Sequence, residues 1–197
     1  MKTLEYTGIN PSRCKAQYKK IVAAIERDDF KTAEVKKLAN LSHGKFYRAK
    51  LDYANRLLFA VVRHNDEVYA LLLEVIENHD YAKSRFLRGA TVNDDALAAI
   101  DPAQAAKEAE PVRYVHQERR EIHFLDKMIS FDDAQEAVYR LPPPVILVGS
   151  AGSGKTALTL EKMKHIEGEV LYVTHSAFLA QSARDLYYIK WGLSPIV

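Results

Sequence analysis

A chain of 197 residues, 48% hydrophobic and 27% charged, has the makeup of one large folded domain or two small ones, and excludes a disordered or fibrous protein. Its formal net charge of +2 excludes binding to polyanions through bulk charge, so any nucleic-acid contact has to come from a local basic face. A single cysteine, Cys14, rules out an internal disulfide and suits a reducing compartment. The N-terminal MKTLEYTGIN lacks the apolar core of a signal peptide, and the longest apolar runs (residues 57–62 and 68–73) are too short to cross a bilayer, so the expectation is a cytoplasmic protein without membrane contact.

In chain order, Asn10-Pro11 marks a helix start, since Asn caps free N–H groups and Pro is tolerated in the first turn. Cys14, Tyr18, Ile21, Val22 and Ile25 recur at helical spacing, with Lys15, Lys19, Lys20 and Arg27 on other faces. Cys14 reads there as a small buried hydrophobe. Residues 31–39 suggest a second, shorter helix with Val35 and Leu38 inward, and Leu41-Ser42-His43-Gly44 punctuates the chain. Three strand-like segments follow. Residues 45–51 (KFYRAKL) alternate, with Tyr47, Ala49 and Leu51 on one face and Phe46, Arg48 and Lys50 on the other. Residues 56–63 (RLLFAVVR) and 68–76 (VYALLLEVI) are apolar enough for central strands, with turns at 52–55 and 64–67. Helices followed by two hairpins describe an α+β domain with an antiparallel sheet, closed by residues 79–83 (HDYAK).

Helices followed by YRAKL, RLLF, a third apolar strand and HDY resemble the RelE/ParE toxin superfamily over about residues 4–88. The resemblance implies an RNA-cutting site of cationic, His and Tyr side chains projecting from the sheet; the matching positions are Arg48, Lys50, Arg56, His79 and Tyr81. Cleavage by a 2′-hydroxyl needs cations for the developing phosphorane charge and a proton donor or acceptor, and an imidazole such as that of His79 can exchange a proton near neutral pH. Arg48 and Lys50, two apart on one strand, share a face; Arg56 joins them only if the register allows. An inert version, in which the same face grips an RNA or DNA backbone, and a plain solvated face remain open.

Residues 91–111, polar and alanine-rich, read as a linker with short helical pieces. Residues 113–116 and 121–125, separated by a polar stretch, are expected to pair as a small hairpin. The domain boundaries are therefore 1–90, a linker region 91–123, and 124–197. In the last part, SFDDAQEAVYR (130–140) is a capped helix, stopped by Leu141-Pro142-Pro143-Pro144. Val145-Ile146-Leu147-Val148 reads as a buried strand running into Gly149-Ser150-Ala151-Gly152-Ser153-Gly154-Lys155-Thr156, which fits the phosphate-loop pattern G-x-x-x-x-G-K-[ST]. Its glycines let successive N–H groups face a phosphate chain, the following helix N-terminus adds partial positive charge, Lys155 would neutralise the β- and γ-phosphates of ATP, and the Thr156 hydroxyl would hold Mg²⁺. Residues 170–174 (VLYVT) read as a second strand before a helix over 176–188, which predicts an α/β unit with a parallel sheet.

The order FDDAQEAV, GSAGSGKT, VLYVTHSAFLAQSARDLY resembles the front of a UvrD/Rep-type superfamily-one helicase over about residues 124–188. The resemblance implies ATP and Mg²⁺ as ligands, Gln135 reading the adenine edge, and Thr174 and Ser176 touching single-stranded DNA, although Ser176 also suits a helix cap. The acidic pair, the γ-phosphate-sensing arginines and the second motor lobe of that family have no counterpart before Val197, and the apolar tail 189–197 is expected to mark a truncated or frame-shifted product. The combined reading is the N-terminal portion of an ATP-dependent helicase, not competent for hydrolysis, behind a RelE-like domain. A ribonuclease toxin and a non-catalytic nucleic-acid-binding module are the alternatives.

Overall fold

The computed structural model describes residues 1–38, 44–87, 90–112, 114–116, 118–124 and 128–188. The sequence features at Leu41-Ser42-His43 and at 189–197, together with Arg113 and Gln117 of the expected hairpin, lie outside these residues. The chain forms two compact units, Met1–Ile122 and His123–Val197, and the fold is α+β with a mixed sheet. Among the described residues no helix is long and apolar enough to cross a membrane.

In the first unit, β1 (Lys2–Tyr6), α1 (Lys15–Glu26), β2 (Lys36–Lys37), β3 (Phe46–Lys50), β4 (Arg56–His64) and β5 (Glu67–Ile76) come in succession. The helix start expected at Asn10-Pro11 comes later: Asn10 accepts from the Ser12 N–H (3.1 Å) in a turn that leads to a 3₁₀ turn at Ser12–Cys14, and α1 begins at Lys15 without a side-chain cap. Strands β3 to β5 pair antiparallel in sequence order, as two consecutive hairpins predict, and β2 adds antiparallel to β3. The sheet is not purely antiparallel, however, because β1 inserts parallel against β5. Thr3 and Glu5 of β1 face α1, where Thr3 donates to Glu26 (2.7 Å) and Glu5 accepts from the Tyr18 hydroxyl (2.8 Å). Those bonds permit two polar side chains on the helix-covered face of the sheet.

That face carries the main core. Cys14, Tyr18, Ile21 and Ile25 of the helical region meet Tyr47, Ala49, Leu57, Phe59, Val61, Ala70 and Leu72, and Phe59 stacks on Tyr47 at 5.6 Å between ring centroids. Burial also raises the Cys14 thiol pKa, which suits its role as a small hydrophobe. The expected helix over 31–39 is replaced by a tight turn and β2. Asp29 accepts from the Thr32 N–H, and Glu34 takes a left-handed φ of 45°. Val35 and Leu38 are nonetheless buried.

Residues 91–111 are not a free linker but part of the first unit. Asn93 caps a 3₁₀ turn at Asp94–Ala96, and α2 (Pro102–Lys107) starts from Asp101 with Pro102 in its first turn. β6 (Glu110–Pro111) then runs parallel to β4 beside Val62 and Arg63, beyond the end of β3. β7 (Glu121–Phe124) pairs parallel with β1 through Glu121 and Ile122. Among the described residues the expected hairpin of 113–116 with 121–125 is absent: residues 114–116 form no strand, and β7 pairs instead with β8 (Met128–Ile129).

The second unit holds α3 (Asp133–Arg140), α4 (Lys155–Met163) and α5 (Ala177–Tyr188). Its small core joins Leu160, Met163 and Ala183 to Ile129, Ala157, Val170, Tyr172 and Leu186. The parallel sheet expected here is absent among the described residues. Residues 145–148 and 170–174 form no strand, and Val148 is 95% and Leu171 86% exposed. Apolar β-branched runs favour extended backbone, but pairing requires a neighbouring strand, and none of the described residues supplies one.

Candidate functional site

Two groups of side chains gather chemistry, one in each unit. In the second unit, Asp132 caps α3 by accepting from the Gln135 N–H (2.8 Å), while the Gln135 amide oxygen accepts from the Asp132 N–H (3.0 Å), a reciprocal capping box. The same Gln135 amide donates through Nε2 to the Ser153 carbonyl (3.1 Å), tying α3 to the phosphate loop. Gly152 and Gly154 have φ of 77° and 80°, the left-handed backbone that glycine accepts at little cost. A Cβ at Gly154 would also come within 2.9 Å of Gln135 Nε2. Lys155 opens α4 and folds back over the loop, its Nζ donating to the carbonyls of Gly149 (2.7 Å) and Ser150 (2.6 Å), with Ser153 Oγ at 3.3 Å. Ala151 lies exposed in the loop and Thr156 is exposed in the first turn of α4.

These residues fit a nucleotide phosphate chain: tight glycine backbone, a helix N-terminus and an ammonium meet at one loop. Among the described residues no cluster of three His, Cys, Asp or Glu suits a metal, so a Mg²⁺ here would rest on the Thr156 hydroxyl and the nucleotide's own oxygens. Gln135 sits at the loop with both ends of its amide engaged within the protein, so contact with adenine requires it to exchange partners. Ser176 caps α5, accepting from the Leu179 N–H (3.2 Å), and the Thr174 hydroxyl lies 3.5 Å from the Ser176 N–H. The helix-cap reading of Ser176 thus describes its position.

In the first unit, Arg48, Arg56, His79 and Tyr81 do converge. Lys50 and Arg56 are direct cross-strand partners, as are Arg48 and Leu58, so the three cations share the sheet face opposite α1. What they converge on is a carboxylate. Asp94 Oδ1 accepts from Arg48 Nε (2.7 Å) and the Tyr81 hydroxyl (2.7 Å), and Oδ2 accepts from Arg48 Nη2 (3.1 Å) and Arg56 Nε (3.3 Å). His79 Nδ1 stands 3.7 Å from Oδ2, with its Nε2 3.0 Å from the Tyr53 carbonyl. Further guanidinium donors are also placed: Arg48 Nη1 on the Glu34 carbonyl (2.9 Å), Arg56 Nη1 on those of Asp52 (2.7 Å) and Asn55 (3.0 Å). Lys50 stands apart, paired with Glu34 at 2.9 Å.

Burial works against the charge on Asp94, yet the Tyr81 hydroxyl and the two guanidiniums outweigh it and hold its pKa below the usual value. Tyr81 is pushed up, first by burial and then by Asp94. His79 follows Asn78 in a left-handed pair (φ 57° and 50°), a backbone that aims the ring at the cluster. The sequence reading found the cations but not Asp94, which lies in a polar stretch 38 residues from Arg56 and 46 from Arg48. The available signal was one of charge: guanidiniums on a covered sheet face require a counter-charge.

A second buried polar group escaped sequence reading. His123, 1% exposed, lies 4.3 Å from Phe131 and 4.7 Å from Tyr139 between ring centroids, with Nε2 3.4 Å from Glu136 and Nδ1 3.9 Å from Glu161. Lys164 pairs with Glu161 and Arg140 with Glu136. No family model, curated protein or solved structure matches this chain.

Proposed function

We infer that the second unit binds Mg²⁺-ATP through residues 149–156, as the nucleotide-binding front of a UvrD/Rep-like DNA helicase motor. The observation that carries this reading is the bond from Gln135 Nε2 to the Ser153 carbonyl. It joins the first two motifs of the helicase resemblance, which are separated in the chain by the end of α3 and residues 141–148. Lys155 would exchange its bonds to the Gly149 and Ser150 carbonyls for phosphate oxygens, and the first N–H groups of α4 would add to the same charge. Bound Mg²⁺, held by Thr156, supplies neutralisation of the β- and γ-phosphate charge. The helicase reading assigns none of the described residues as the acidic pair that holds Mg²⁺ and the attacking water, so binding without DNA-stimulated hydrolysis is the expected behaviour of this chain.

Titration of ATP by calorimetry into the wild-type chain and into Lys155→Ala tests the reading. Heat in the wild type, lost in the variant, is the expected result; equal heats would overturn it. The ribonuclease alternative for the first unit draws support from the convergence of Arg48, Arg56, His79 and Tyr81. In this fold, however, Arg48, Arg56 Nε and Nη1 and the Tyr81 hydroxyl donate to Asp94 and neighbouring carbonyls.

A further inference from the structure

Asp94 joins a well-made pocket to a poorly held segment. The pocket is rigid: Arg48 and Arg56 sit on adjacent paired strands, 3% and 6% exposed, and Tyr81 is buried on the turn after β5. The segment that carries Asp94 is not. None of residues 91–99 is fully buried. They lie against the unit through the Lys37 N–H to the Ala98 carbonyl (3.1 Å), a bridge between Lys36 and Ala99, and Lys36 Nζ to the Asp94 carbonyl (3.3 Å). Firm packing resumes only with Ile100, and with Ala105 of α2. The side chain of Asp94, 13% exposed, is therefore set inward from an otherwise largely surface-lying strap.

Charge and donor count are also unequal. One carboxylate, with a single negative charge, faces two guanidiniums, a phenol and an imidazole. Four donors reach its two oxygens within 3.3 Å, and a fifth group waits at 3.7 Å. A dianionic phosphate has three terminal oxygens and a charge equal and opposite to that of two arginines, and guanidiniums bind such planar pairs of oxygens bidentately. We propose that Arg48, Arg56, His79 and Tyr81 form a binding site for a terminal phosphate (a phosphomonoester or inorganic phosphate), and that the strap 91–99 closes it by presenting Asp94 as an internal competitor. Ligand and strap exclude one another, so entry of the phosphate releases the strap. The proposal concerns the first unit alone and does not depend on nucleotide binding by the second.

The test uses the full chain in a Lys155→Ala background, so that the phosphate loop contributes nothing. Thermal melting of the first unit is followed with inorganic phosphate, with ribose 5-phosphate, and with 3′,5′-cyclic AMP as a diester control. Asp94→Ala removes the competitor, and inorganic phosphate and ribose 5-phosphate should then bind about tenfold or more tightly than to the chain that keeps Asp94. Ribose 5-phosphate matching inorganic phosphate identifies a phosphomonoester site; a shift with inorganic phosphate only identifies a free-ion site. Adding Arg56→Ala should abolish the shift. No phosphate-dependent shift with Asp94→Ala, a shift that survives Arg56→Ala, or an equal shift with the cyclic diester would overturn the proposal. Should Asp94→Ala not fold, hydrogen exchange on the chain that keeps Asp94 decides. Saturating phosphate must speed exchange in 91–99 and leave β3 and β4 unchanged, and unaltered exchange in the strap would overturn it.

Discussion

His123 shows what a single buried ring does to the second unit. Burial lowers its pKa, and the nearby carboxylates of Glu136 and Glu161 oppose this without prevailing, while Lys164 adds to the lowering. The folded unit thus holds the ring neutral more strongly than the unfolded chain does. The sign follows from proton linkage: stability is full above the unfolded pKa, near 6.5, and declines as pH falls from there towards the folded pKa, because only the unfolded chain readily takes the proton. Melting of the second unit should therefore drop as pH falls below the ordinary imidazole value, about 6.5. His123→Phe, which keeps an aromatic ring against Phe131 and Tyr139, should remove most of that slope, and an unchanged slope in the variant would place its origin elsewhere. Asp94 works in a lower window. Its pKa is lowered in the fold, so its contribution is present above the ordinary carboxylate range and is lost only as pH falls through the folded value.

At the scale of elements, α3 is eight residues long and depends on its start. A helix this short is marginal by itself, so the Asp132–Gln135 box carries a large share of its local order. Asp132→Ala should cost about 1 kcal/mol, read as a lower denaturation midpoint of the second unit with the first unit unmoved. Because the same Gln135 reaches Ser153, the variant should also weaken ATP binding, which a loss of helix stability alone would not require. The elements legible in the sequence are those whose signal is local. α1 follows from the apolar recurrence through Ile25, and β3 to β5 from alternation and two polar turns. The elements that were not legible take their definition from distant partners. β1 carries Thr3 and Glu5 on a covered face, and only Glu26 and Tyr18 make that acceptable. Residues 145–148 and 170–174 show the converse, since their apolar composition announces strands but the described residues give them nothing to pair with. The candidate sites divide in the same way. The phosphate loop is contiguous and was read residue by residue, whereas the basic cluster was read without Asp94, whose role exists only once the chain is folded.

Among the described residues, one core cluster of the first unit is built on Phe59, Ile25 and Leu72 and one of the second on Leu160, Met163 and Ala183. No described residue belongs to both. A ligand bound by residues of one unit stabilises that unit by mass action, by about 2.7 kcal/mol when its concentration is a hundred times Kd. Mg²⁺-ATP contacts only residues of the second unit in the function proposed above, so it should raise the melting of His123–Val197 and leave that of Met1–Ile122 in place. The two transitions can be assigned without isolating either unit. Phe59→Ala, in the core of the first, should lower one transition by a cost of about 3–5 kcal/mol and leave the other where it was. Differential scanning calorimetry of the full chain, with and without Mg²⁺-ATP, then reads which transition moves. A shift confined to the transition that Phe59→Ala leaves untouched is expected. A shift of both, or of the first unit's alone, would show that the nucleotide acts outside the phosphate loop, and a single transition lowered as a whole by Phe59→Ala would show that the two cores unfold as one.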